Sequence, residues 1–281
     1  MPIQQRSQLK GFGQSTNEKY IVEDINDLVN AANAGSLPSF LEYNTTDFTI
    51  WNNGKGNVSS NTSYGDAALS SNTTGYNNTA IGLNTLKSNV DGYLNVAVGA
   101  ETLVFNQNGY YNTAIGSGSL YSNVNGNENI AIGYSSLGNC SSGSSNIAIG
   151  SSSLNNSTVG FNNVAIGINS MTFNTTGNNN TAIGTLSLFS NTVGIRNVAV
   201  GNQSLFGNTT GNNNTAIGDN VSSGNFSGSV VIGSGATATA NNQFSVGSSA
   251  TPAGAITTES LSSTRTWSVR INGTNYKILL A

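Results

Sequence analysis

Apolar and polar positions alternate over five residues, and the same five-residue box then returns at a fixed distance. It is clearest as Asn78-Thr79-Ala80-Ile81-Gly82, with β-branched residues on either side of a small one. It recurs as Asn95-Val96-Ala97-Val98-Gly99 and Asn112-Thr113-Ala114-Ile115-Gly116, and its closing glycine continues through Gly133, Gly150, Gly167, Gly184, Gly201 and Gly218. From Gly65 to Gly218 successive closing glycines stand 17 residues apart without a slip. Alternation at period two predicts a short strand with two faces. A fixed period of this size predicts a repeat architecture.

Three further rows keep the register. A second glycine row runs from Gly75 through Gly92 and Gly109 to Gly228. An apolar row runs Leu69, Leu86, Leu103, Leu120, Leu137, Leu154, Met171, Leu188 and Leu205. A polar row runs Asn72, Asn89, Asn106 and Asn123, passes through Cys140 and Ser157, and resumes at Asn174, Asn191 and Asn208. The unit is too short for a helical hairpin. Its glycines supply corners with unrestricted φ, so each repeat predicts one coil of an all-β, parallel β-solenoid. Some twelve coils at about 4.8 Å each give a rod on the order of 55 Å.

One coil buries too little apolar surface to offset the entropy of ordering its backbone, so stability must come from stacked coils and from other chains. The isoleucine and leucine rows, represented by Ile81, Leu86, Ile115, Leu120, Ile149, Leu154, Ile183 and Leu188, are read as each chain's own core. The alanine row never enlarges. Ala80, Ala114, Ala148 and Ala182 are therefore read as a candidate seam against other chains.

The boxes resemble the head repeats of trimeric autotransporter adhesins of the YadA type, whose motif is close to N-S-V-A-I-G-x-x-S. The likeness spans about residues 61–247. It implies a left-handed parallel β-roll in which three chains wind into one trimer. The final boxes, Ser229-Val230-Val231-Ile232-Gly233 and Gln243-Phe244-Ser245-Val246-Gly247, follow after 15 and 14 residues and lie nearer the adhesin spacing. The 17-residue form departs from that spacing. The Met1 end lacks the charged and apolar regions of a secretion signal, and no run reaches the length of a membrane span. No membrane insertion is expected. The last residues, from Thr264 to Ala281, are similar to the closing hairpins of phage fibre and virion proteins.

The flanks read differently from the repeat. Residues 1–60 form an α/β attachment piece, with a capping box at Ser15-Thr16-Asn17-Glu18 and one helix over about 16–34. That helix either packs on its own small domain or joins three chains to a larger particle. Phe40–Tyr43 and Phe48–Trp51 predict two strands. Residues 248–281 are a linker and a closing hairpin, with strands at 267–271 and 276–280 around Asn272-Gly273.

Composition narrows the chemistry. The 281-residue chain carries a net charge of −3 and no histidine. No electrostatic footprint for nucleic acid is present, and serine–histidine and zinc–histidine chemistries are excluded. Solenoid charges form no repeated row, so no metal and no cofactor is expected. A glycosidase needs a close carboxylate pair, and Asp91 and Glu101, the nearest two, are read as unrelated surface charges; no enzyme is expected. Aromatics fill variable slots. Tyr76, Tyr93, Tyr110 and Phe161 follow the second glycine row and are either corner packing or a glycan-contact strip. These readings together predict a homotrimeric virion fibre, of a phage tail or head. Its N-terminal piece meets other virion proteins, and its rod reaches a host-surface glycan. A cellular surface adhesin and a polysaccharide-degrading spike are the alternatives.

Overall fold

The computed structural model describes residues 60–247 and two separate strand pairs. β1 (Glu42–Tyr43) and β2 (Ile50–Trp51) pair antiparallel, with Glu42 opposite Trp51. The solenoid strands are β3 (Thr62–Tyr64), β4 (Thr79–Ile81), β5 (Val96–Val98), β6 (Thr113–Ile115), β7 (Ile130–Ile132) and β8 (Ile147–Ile149). They continue as β9 (Val164–Ile166), β10 (Thr181–Ile183), β11 (Val198–Val200), β12 (Thr215–Ile217), β13 (Val230–Ile232) and β14 (Phe244–Val246). β15 (Thr266–Ile271) and β16 (Thr274–Leu279) form an antiparallel pair running from Thr266↔Leu279 to Ile271↔Thr274. The helix expected over 16–34 lies outside the described residues.

β3 to β14 make one 12-stranded parallel sheet in strict sequence order. Each strand pairs with the equivalent box one coil away, as in Ala131↔Ala148↔Ala165. The described part of the chain is thus a parallel β-solenoid, and its eleven coil-to-coil steps of about 4.8 Å rise roughly 53 Å. The two shorter spacings near its end keep the pairing, with Ala216 opposite Val231 and Val231 opposite Ser245. The residues lost there come from the corners, because the strand register is what the ladder hydrogen bonds fix.

Stacking extends beyond the strands. Leu188 N–H donates to Ser204 O at 2.9 Å and Ser190 N–H to Phe206 O at 3.1 Å, each reaching the next coil. In one coil the inward positions are Asn180, Ala182, Ser187, Leu188, Asn191 and Gly194, all buried. Leu188 is the one large apolar group among them, and its equivalents Leu86, Leu120 and Leu154 are also fully buried.

The structure corrects the assignment of strand faces. Ala80, Ala114, Ala148 and Ala182 have no exposed surface and line the interior of their own chain, so they form no seam between chains. Ile81, Ile115 and Ile183 point outward with about two-fifths of their surface open, and Ile149 is half-buried on the same face. The isoleucine row is therefore not part of the single chain's core. The interior is too narrow for it. The Ser170 hydroxyl donates to Ala182 O across the coil at 3.2 Å, and Ser204 reaches Ala216 O at 3.2 Å. With the leucine filling the remaining width, the facing strand has room only for a methyl group, and alternation sends its β-branched neighbours outside.

Candidate functional site

Three features distinguish the solenoid surface and interior. The first is the outward face of the 12-stranded sheet. It carries two ladders of side chains, one at the Thr79 register and one at the Ile81 register. Through the middle of the rod, both are almost wholly apolar: Ile130, Ile147 and Val164 in one, Ile132, Ile149 and Ile166 in the other. Each rung is paired in register with the next, so the face is continuous along the rod. The Ile81 ladder is apolar from Tyr64 to Val246 and half-buried to exposed throughout, whereas Thr113, Thr181 and Thr215 interrupt the Thr79 ladder.

The second feature is aromatic. Tyr76, Tyr93 and Tyr110 stack face to face, with centroids 5.0 Å apart at each step and planes within 7°. Tyr111 meets Tyr93 and Tyr110 edge-on at 5.9 and 5.6 Å. The crowding of rings raises the Tyr93 phenol above its ordinary range, first through desolvation and then through Tyr110, Tyr76 and Tyr111. Phe161 shares the register of this row but does not join the stack, because Asn127 and Ser144 occupy the two intervening coils. A separate set follows the leucine row: Phe189 and Phe206 stack at 5.1 Å, and Phe173 meets Phe189 edge-on at 4.9 Å.

The third feature is internal. Two asparagine ladders run up the solenoid. In the box ladder, Asn180 Nδ2 donates to Gly194 O at 2.8 Å, and Asn180 N–H donates to Asn163 Oδ1 at 3.0 Å. In the second, Asn191 Nδ2 donates to Gly194 O at 3.0 Å and to Asn174 Oδ1 at 2.8 Å. The second ladder stops at Cys140 and Ser157. Cys140 is a free, buried thiol, and burial pushes its pKa up to about 11. Ser157 Oγ is buried without a hydrogen-bond partner.

The carboxylates singled out in the sequence belong to different segments of the coil. Asp91 lies just before the second glycine and accepts hydrogen bonds from the hydroxyls of Thr73 and Thr74. Glu101 follows the closing glycine and borders a surface depression with Lys87, Phe105 and Tyr121. Among the described residues, no three His, Cys, Asp or Glu side chains are grouped to hold a metal ion. The surface thus presents an apolar sheet face, tyrosine rings covered by one another and two aromatic-edged depressions. Compared with known proteins, the chain matches no family model, no curated protein and no solved structure.

Proposed function

We propose that the chain is the structural fibre of a virus particle, a phage tail or head fibre. In this reading three copies wind as left-handed solenoids and pack on their Thr/Ile sheet faces. The observation that carries it is the apolar outward face, continuous over the coils of a rod. A partner for that face must repeat every coil in the same register. A second and third copy of this chain have that repeat by construction, which a globular partner lacks. Packing the faces on a common axis buries the exposed isoleucines and leaves the corners free for contact. Stiffness then comes from stacked coils, and avidity from identical copies.

The N-terminal region serves as the attachment to other virion proteins, and the β15–β16 pair as a closing cap. Light scattering on the purified full chain tests the assembly, with a particle of three chain masses expected. A monomer would remove the reading. Antibody labelling of purified particles tests the location, with label expected on projecting fibres. Label on a cell envelope instead would assign the chain as a cellular adhesin.

A further inference from the structure

We infer that the corner after the closing glycine, between Asn84 and Asn155, is a binding groove for a short neutral oligosaccharide. Two depressions of about 200 and 350 Å³ share Glu101 and Tyr121 as common walls. The larger one is within the range of roughly 300–1,000 Å³ found for small-ligand sites. Together they follow the rod over about four coils, on the order of 20 Å at about 4.8 Å per coil.

The larger depression lies where one outward side chain is missing. Gly118 stands in the register that holds Asn84, Glu101 and Ser135 in neighbouring coils. Gly138, in the register of Tyr121 and Asn155, is buried, and a Cβ there would stand 2.8 Å from the Asn155 amide, which covers it. A Cβ on Gly118 would have only Ser135 within 4 Å, and this open position lies in a hollow lined by Tyr121 and Tyr134.

The lining has the chemistry of sugar recognition. Tyr134 has 65% of its surface exposed, and Phe105 and Tyr121 meet edge-on at 5.1 Å. Such rings offer apolar surface to the C–H face of a hexose. The Tyr76–Tyr93–Tyr110 rings differ, because their faces cover one another. Polar groups for hydroxyls stand alongside: the Glu101 carboxylate and two amides held in place by the fold. Asn139 Nδ2 donates to Asn155 Oδ1 at 3.1 Å, and Asn155 in turn donates to Ser135 O. Lys87 and Glu101 offset each other in formal charge, which favours an uncharged ligand. One lysine gives no track for a phosphate backbone.

The inference takes its biological meaning from the fibre reading above, but the groove is complete on a single chain. The test applies the full chain to an array of neutral, uronic-acid and sialylated oligosaccharides of two to four rings. Retention of neutral chains is expected. Tyr134→Ala and Gly118→Asn should each weaken it by about tenfold, roughly 1.4 kcal/mol, and Tyr76→Ala should leave it unchanged. Gly118→Asn fills the hollow without backbone strain, since Asn84 and Asn169 hold the same position at φ of 54° and 53°. No retention, retention of acidic chains alone, or retention indifferent to both groove variants overturns the assignment. Light scattering on the same samples separates this result from the fibre reading. A trimer that retains no sugar ends the groove and leaves the fibre standing.

Discussion

Ser157 and Cys140 interrupt a ladder in which every other member is an asparagine from Asn72 to Asn208. Asn123, left without an amide above it, takes a hydrogen bond from Gly126 N–H at 3.1 Å, whereas Ser157 Oγ takes none. A buried hydroxyl without a partner costs about 1–3 kcal/mol, and a buried hydrogen bond contributes about 0.5–1.5 kcal/mol net. The double variant Cys140→Asn with Ser157→Asn should therefore stabilise these coils by about 1–3 kcal/mol. Slower amide exchange between residues 140 and 174 is the measurement, and unchanged exchange would mean that the ladder is not a source of stability. The thiol gives a pH signature. Its folded pKa of about 11 lies above the unfolded value, so the unfolded chain loses this proton first as pH rises. Stability should fall as pH rises from about 8.5 towards the folded value, and Cys140→Asn should remove that part of the fall. At pH 8, thiol reagents should label Cys140 only after denaturation. Rapid labelling of native protein would contradict the closed coil.

At the scale of the coil, backbone geometry sets the tolerance to substitution. The closing glycines sit near φ +130°, and a Cβ on Gly184 would stand 2.5 Å from Gly201 O in the next coil. Gly177, in the second glycine row, is constrained by space alone, since a Cβ on it would meet Asn174 Oδ1 at 2.3 Å. Gly184→Ala should cost about 2–5 kcal/mol, from left-handed strain and overpacking together. Gly207→Ala is the control, because a Cβ there meets nothing within 4 Å, and its melting temperature should not fall. Equal losses in the two variants would refute coil-over-coil contact as the cause. The buried leucines add a demand of their own. Leu86, Leu120, Leu154 and Leu188 all adopt φ near +50°, a conformation unfavourable for a bulky residue. It turns the Leu188 carbonyl to accept Asn191 N–H at 3.2 Å while the side chain stays inside.

Over the whole molecule, the rod is a one-dimensional stack in which each coil touches its neighbours and stability adds along the row. The outward sheet face stands apart from that stack, since substitutions there leave the coil interior untouched. Replacing Ile132 and Ile149, which are paired in register on β7 and β8, by aspartate should therefore leave the coils folded. In a trimer packed on this face the same pair would bury carboxylates, a costly burial. The expected result is the mass of a single chain with an unchanged far-ultraviolet spectrum. An unchanged oligomeric mass would show that the chains meet elsewhere.

The 17-residue register was legible from the residues, and with it the stacked strands, because a parallel ladder requires equivalent residues to recur at each coil. The place of Leu86 and its row inside the coil followed from the same pattern. Which face of the strand turns inward did not follow, since alternation at period two is symmetric until an opposing wall is known. That wall is the Ser170–Leu188 side of the coil, close enough for a hydroxyl to reach the Ala182 carbonyl, and its distance depends on corners that no local pattern reports. The hollow at Gly118 was hidden for a similar reason. Gly118 looks like an ordinary corner residue in sequence, and only winding the chain sets its missing side chain beside Tyr121 and Tyr134. The sequence determined the repeat and its pairing; the closed cross-section of the coil decided which rows are dry, which are offered outward, and where the surface is hollow.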